Sequence, residues 1–149
     1  MSRVLKGRVV IAGKARGRAL ASNEPLSFWG GYDCETGEII DRRHHRCGEN
    51  AAGRVFLFPT GRGSSTASGI LLQSLLNGTA PAALVCIELD PILALGVIVA
   101  EECFGRSLPM VILDQEEFSL VTDDDWLEIE EDGTVRITAE ETDGSGCSS

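Results

Sequence analysis

The chain has 149 residues, 43% apolar and 24% charged, which suits one domain with a real core and excludes wholesale disorder. Thirteen basic against 23 acidic residues give a net charge of −10, which argues against nucleic acid and against an anionic membrane surface. No apolar run reaches the roughly 18 to 20 residues of a membrane span, and the opening stretch MSRVLKGRVVIAGKARG has no secretory pattern, so the sequence reads as cytoplasmic.

In chain order, residues 4–11 (VLKGRVVI) and 16–22 (RGRALAS) read as two short strands. Residues 23–50 form a long irregular stretch; loops of that length in a compact domain tend to carry function or cover something. The apolar run VFLFP (55–59) predicts a buried strand that leads straight into TGRGSSTASGILLQSLLNG (60–78). There Ile70, Leu71, Leu75 and Leu76 share one helical face, and Asn77-Gly78 is a stop signal. A second buried strand is predicted at 82–87 (AALVCI), and Asp90-Pro91 supplies an N-cap and first-turn signal. The helix that follows is apolar nearly all round over 91–100, so it must be covered on more than one side, by this domain or by a partner. A third strand (MVIL, 110–113) completes a small parallel βαβαβ unit. The segment WLEIEEDGTVRITA alternates around Asp132-Gly133, a favoured two-residue hairpin turn. With the N-terminal strands, this hairpin supplies a second β layer. The expected fold class is α/β: a compact β/β/α domain over residues 1–139.

Charge is unevenly spread. Residues 1–113 hold twelve basic and ten acidic side chains, residues 114–149 one basic and thirteen acidic. Residues 140–149 lack any apolar pattern and are expected to be a disordered acidic tail. The five cysteines (Cys34, Cys47, Cys86, Cys103, Cys147) form no C-x-x-C pair, and His44 and His45 are the only histidines. Neither a zinc site of usual spacing nor a disulfide framework is encoded, and no metal ligand is expected in this chain.

One segment has the make-up of a chemical site: Pro59-Thr60-Gly61-Arg62-Gly63-Ser64-Ser65-Thr66-Ala67-Ser68. It joins the end of a buried strand to a helix, the edge of an α/β sheet where ligands bind. The glycines allow close backbone approach, the N–H groups at the helix start favour an anion, and Arg62 offers a fork for a carboxylate. The segment is neither a Walker A loop nor a G-x-S-x-G elbow. A plain glycine turn with Ser/Thr capping fits the same residues, because a lone serine is a poor base without an unusual environment. Asp41 and His44 form either an acid/base pair or an exposed loop.

The segments GGYDCETGEIIDRRHH (30–45), FPTGRGSSTASGILL (58–72), NGTAPAALV (77–85) and DPILALGVIVAEECFGRSLPMV (90–111) together resemble the small, swivelling domain of aconitase X enzymes, over roughly residues 4–128. The resemblance implies a dehydratase subunit that closes over a hydroxy acid substrate, beside a large subunit carrying an iron–sulfur cluster on its own cysteines. It implies Ser64 as the proton-abstracting base, Arg62 as a carboxylate or loop anchor, and Gly63, Ser65 and Thr66 as hydrogen-bond donors to substrate; Asp41 and His44 either touch substrate or brace the loop. Two substrates compete: cis-3-hydroxy-L-proline, as in bacterial members, and phosphomevalonate, as in archaeal ones. Lys6 and Lys14 are the only lysines against eleven arginines, and few basic residues lie near the site, so hydroxyproline is favoured. A non-catalytic anion-binding or regulatory module is the alternative of another class.

Overall fold

The structure, a computed structural model, describes residues 2–24, 26–62, 65–89 and 91–138. In chain order the elements are β1 (Ser2–Lys6), β2 (Arg8–Ile11), β3 (Ala15–Ala21), β4 (Leu26–Ser27), α1 (Phe28–Gly31), β5 (Val55–Leu57), β6 (Thr60–Arg62) and α2 (Ser65–Asn77). They continue with β7 (Ala83–Cys86), β8 (Glu88–Leu89), α3 (Pro91–Phe104), β9 (Met110–Ile112), α4 (Gln115–Phe118), β10 (Trp126–Ile129) and β11 (Thr134–Thr138). Eight strands form one sheet in the order β1-β11-β10-β3-β5-β7-β9-β2. Strands β3, β5, β7 and β9 are mutually parallel, and the remaining pairs are antiparallel.

The period-2 alternation of strand side chains sorts the apolar residues into two cores. Val55, Leu57, Ala83, Val85, Val111 and Leu113 pack with Leu127, Ile129, Val135 and Ile137 of the late hairpin. Phe56, Phe58, Leu84, Cys86 and Met110 pack instead with Leu71 and Leu75 of α2 and Leu93, Val97 and Ala100 of α3. The run VFLF is apolar throughout because both of its faces are covered. This is the β/β/α layering expected from the sequence, with β5-α2-β7-α3-β9 as the parallel unit.

Several details differ from the sequence reading. The single strand expected at 4–11 is divided at Gly7. Strand β1 pairs with β11 and β2 with β9, so consecutive strands occupy opposite edges of the sheet and Gly7 brings those edges together. The Gly7 N–H donates to the Gly133 carbonyl at 2.9 Å, and a Cβ at Gly7 would lie 2.1 Å from Val111 Cγ1. The strand expected at 55–59 breaks at Pro59, which has no N–H to donate; its carbonyl accepts from Ile87 and Glu88 at 3.1 and 3.0 Å. The late hairpin closes on a wider turn than the two residues expected. The Gly133 N–H donates to Glu130 O and the Glu130 N–H to Thr134 O, both at 2.9 Å, and Gly133 is left-handed at φ 92°. Residues 23–50 are not irregular throughout. They contain β4, α1 and bridges Tyr32↔Ile39 and Glu38↔Asn50, and they deliver Tyr32 and Ile39 into the helix-side core. Helix α3 buries Leu93, Ala94, Gly96, Val97 and Ala100 and exposes Ile92, Leu95, Ile98 and Val99, so the described residues cover one side of it only. The expected acidic tail and the capping residue Asp90 lie outside the described residues.

Candidate functional site

At their carboxyl ends the parallel strands continue into a second ply. Strands β4, β6 and β8 form a three-stranded parallel sheet whose order repeats that of β3, β5 and β7. Leu26 pairs with Gly61, Ser27 with Arg62, Thr60 with Glu88 and Gly61 with Leu89. Strand β6 is the central one, so backbone flanks it on both sides up to the point where the chain leaves for α2. Arg62 is the last residue of β6, and Ser65 and Thr66 open α2; Gly63 and Ser64 lie outside the described residues. The structure thus places the two flanks of the glycine-rich segment, Arg62 and Ser65, at the carboxyl edge, one ending a central strand and the other opening a thirteen-residue helix. Such a helix start favours an anion through its unpaired N–H groups and its dipole.

Beside this edge lies a polar network. Ser22 follows β3, and its N–H donates to Leu57 O at 2.9 Å. Its hydroxyl is the hub: Glu24 N–H donates to it at 3.0 Å, His44 Nε2 lies 3.2 Å away, His45 Nε2 3.0 Å and the Glu24 carbonyl 3.1 Å. His44 is buried, and its Nδ1 accepts the Arg46 N–H at 3.1 Å. A neutral His44 therefore carries its proton on Nε2, which faces two acceptors, the Ser22 hydroxyl and, at 3.4 Å, the Glu24 carbonyl. His45 is exposed, with its ring stacked on His44 at 5.1 Å between centroids, and its backbone N–H donates to Glu24 Oε1 at 2.9 Å. The loop is anchored at its far end by Arg46, whose guanidinium donates to Asp123 Oδ2 at 2.8 Å. Asp123 Oδ1 in turn accepts from Ala21 N–H at 3.1 Å. Glu24 is two residues before Leu26, the register partner of Gly61. With about 3.8 Å between successive Cα atoms and about 4.8 Å between paired strands, Glu24 and Gly61 are within about 12 Å.

The sequence reading offered Asp41 and His44 as a pair. The structure gives them separate partners: Asp41 Oδ1 accepts from Arg43 N–H at 3.0 Å and closes a turn, while the His44 ring turns inward to Ser22.

The model of the aconitase X swivel domain family matches residues 4–137. The chain belongs to that family. A cis-3-hydroxy-L-proline dehydratase of Pseudomonas aeruginosa is 52% identical over 106 residues, which cover 71% of this chain and 18% of that protein. The swivel chain thus spans about a fifth of the length of that relative. A phosphomevalonate dehydratase small subunit of Methanothermobacter thermautotrophicus is 42% identical over 132 residues, 87% of this chain and 96% of that one. The crystal structure of Thermococcus kodakaraensis aconitase X in its holo-form superposes with a TM-score of 0.81 at 34% identity, covering 91% of this chain and 98% of the other.

Iron–sulfur clusters are held by convergent thiolates. In this swivel domain Cys34 is half-buried, Cys47 and Cys103 are exposed, and Cys86 is buried in β7, each on a different segment. Burial pushes the Cys86 thiol well above its ordinary range, away from the thiolate form. The described thiols do not fit a cluster. Among the described residues one group of metal-ligating side chains converges, Glu24, His44 and His45, with ligand atoms within 4.8 Å of one another. Its donors are misassigned for a metal: a ligating imidazole donates its second N–H outward, whereas His44 Nδ1 receives an N–H. A groove of about 450 Å³ lined by Lys14, Ala15, Arg16 and Glu128–Glu130 lies at the amino end of β3, opposite the turn, and contains none of the residues singled out from sequence. Sequence reasoning missed the Ser22 hub and its contacts to His44 and His45, because they join residues about twenty positions apart with no periodic signal.

Proposed function

We propose that this chain is the swivel subunit of an aconitase X-type hydro-lyase that dehydrates cis-3-hydroxy-L-proline, acting with a large companion chain that carries the iron–sulfur cluster. The observation that carries the reading is the glycine-rich turn at the carboxyl edge, in a chain 52% identical to a hydroxyproline dehydratase. In this account Ser64 is the base. Closure of the domain against its companion removes water from the turn, and the helix-start N–H groups with Arg62 favour the alkoxide over the hydroxyl. Ser64 takes the Cα proton beside the carboxylate, the C–H electron pair becomes the C2–C3 double bond, and the C3–O bond breaks with its electron pair on oxygen; the hydroxide takes a proton from solvent to leave as water, and Ser64 returns its own proton to solvent when the domain reopens. The enamine formed tautomerises to Δ1-pyrroline-2-carboxylate. Arg62, Gly63, Ser65 and Thr66 hold the carboxylate and fix the Cα–H bond towards Ser64, a positioning effect worth several orders of magnitude in rate. The cluster supplies Lewis acidity on the companion chain.

A second reading has its own support: the chain covers 96% of an archaeal phosphomevalonate dehydratase small subunit, a relative of like length. On the 41–47 loop Arg46 is engaged with Asp123, while Arg42 and Arg43 are exposed, so the loop's cations do not decide between the substrates. The higher identity to the hydroxyproline dehydratase favours hydroxyproline. The test is turnover of the reconstituted two-chain complex with cis-3-hydroxy-L-proline and with phosphomevalonate, measured side by side. A preference for hydroxyproline supports the proposal, a preference for phosphomevalonate selects the second reading, and no turnover of either points to a non-catalytic anion-binding module.

A further inference from the structure

We infer that the outward row of α3, made of Leu95, Ile98 and Val99 with Ile92 at its head, is the seat on which an apolar surface of the cluster-bearing companion chain docks. The inference rests on the dehydratase reading and adds to it the surface through which the two chains meet.

Helix α3 is apolar on two opposite faces. At about 100° per residue, Leu93, Ala94, Gly96, Val97 and Ala100 point into the domain, and Ile92, Leu95, Ile98 and Val99 share the opposite arc. Leu95 is 52% exposed, Ile98 45% and Val99 40%. The fold uses the inner face, where Gly96 meets Ser68 of α2 and Leu93 and Val97 join the core. Nothing in that packing requires the outer face to be apolar. Residues 91–100 contain no ionisable side chain, in a chain of net charge −10. A solvated helix face carries polar side chains, so an uncharged aliphatic row fits another apolar surface. Residues 140–149, EETDGSGCSS, bring no large apolar side chain to cover it. A second copy suits the row poorly, because two chains of the same net charge repel. Four half-exposed aliphatic side chains also fall well short of the roughly 800 Å² per partner that a stable complex buries. The row therefore belongs to a larger contact, and its position says which. Helix α3 opens at Pro91, two residues after Leu89, and Leu89 is the register partner of Gly61 in the central strand β6. From there the row runs about 10 Å along the helix, from Ile92 to Val99. It is continuous with the carboxyl edge, which the companion must shut from water if Ser64 is to act as a base. A companion surface that covers edge and row together supplies the missing area. In the Pseudomonas relative the swivel segment is 18% of one polypeptide, so more than four-fifths of that protein lies outside it and can supply such a surface.

The test measures assembly rather than turnover. Leu95→Glu places a charge in the middle of the row. Val4→Glu places the same charge at an equally exposed apolar position, 50% accessible, on β1 in the layer opposite the helices. Both sites are on the surface, so both variants should melt within about 2 °C of wild type. Each chain, labelled with a fluorophore, is titrated with the full-length cluster-bearing companion, and anisotropy gives Kd. The inference expects Leu95→Glu to raise Kd about 100-fold or more and Val4→Glu less than about threefold. Leu95→Ala, which keeps a strong helix former in place, should raise Kd roughly 3-fold to 30-fold and separates lost contact from misfolding. Undiminished binding by Leu95→Glu and Leu95→Ala, equal weakening by Leu95→Glu and Val4→Glu, or no binding by wild type overturns the inference. Sedimentation of the isolated chain tests the second copy as occupant: a monomer supports the inference, and a dimer that Leu95→Glu disperses overturns it. A complex that assembles through the row yet dehydrates neither cis-3-hydroxy-L-proline nor phosphomevalonate refutes the function reading and leaves the inference standing. A fully active complex whose Kd is blind to Leu95 does the reverse.

Discussion

Replacing Gly96 by alanine should loosen the contact that holds the start of α2. Helices α2 and α3 cross closely there: a Cβ on Gly96 would lie 2.3 Å from the Ser68 carbonyl oxygen, 2.9 Å from its Oγ and 3.1 Å from its carbonyl carbon. The hydroxyl can rotate away, but the carbonyl belongs to the helix backbone. An ordinary carbon–oxygen contact is about 3.3 Å, so the helices must part by about 1 Å, and packing around Leu71, Leu93 and Val97 loosens with them. Such overpacking costs about 1–3 kcal/mol. Alanine returns up to about 1 kcal/mol through its better helix propensity. The net loss is about 1–2 kcal/mol, a fall in Tm of roughly 2–8 °C for a domain of this size. Ser68 lies one turn into α2, so the shift is delivered to Ser65 and to the turn before it. A displacement of about 1 Å at a reacting group can cost about a hundredfold in rate. Turnover of the complex, measured well below the Tm, should therefore fall by more than the stability loss alone explains. Thermal unfolding followed by circular dichroism and steady-state kinetics of Gly96→Ala check both parts. A variant as stable as wild type, or more so, with full turnover would mean that propensity wins and that the helices do not meet as described.

Ser64→Ala should lower kcat by about 10²-fold to 10⁴-fold while the two chains still co-elute on size exclusion; near-normal turnover would remove Ser64 as base. Tyr32 donates its hydroxyl to Thr79 O at 2.7 Å in a buried setting, so Tyr32→Phe should cost about 1–2 kcal/mol in urea unfolding, and an unchanged midpoint would show that this bond contributes nothing. Burial raises both the Cys86 thiol and the Tyr32 phenol from ordinary values of 9.0 and 10.0. The unfolded chain releases these protons at lower pH than the folded one, so stability is intact below about pH 9 and falls as pH rises beyond it. Unfolding midpoints between pH 7 and 10.5 measure this fall, and Cys86→Val should shallow it; a flat profile would contradict the buried placement of both groups.

The parallel unit was legible because its strands are buried on both faces. Runs such as VFLF and ALVC stand out as unbroken apolar segments, and the helices between them carry recognisable stops. Strands β4 and β8 were not legible, because two residues carry no period. The break at Gly7 was hidden for a different reason: the strand propensity on either side is continuous, and the division is imposed by the return of β11 and the approach of Val111. The glycine-rich turn announced itself through its composition and its place after a buried strand. The histidine network did not. Local spacing suggested Asp41 as the partner of His44, whereas the ring bonds to Ser22, a contact that depends on how residues 23–50 fold back over the helix-side core. The apolar helix at 91–100 left its covering open, and among the described residues Leu93 and Val97 lie inside the domain while Leu95 and Ile98 are exposed.

On the reading proposed above, neither chain should dehydrate the hydroxy acid alone. The most direct measurement compares Δ1-pyrroline-2-carboxylate formation from cis-3-hydroxy-L-proline by this chain, by the cluster-bearing companion, and by the two mixed in increasing ratio. The account predicts product only from the mixture, rising until the chains are equimolar. Product from either chain by itself at the rate of the mixture would contradict it.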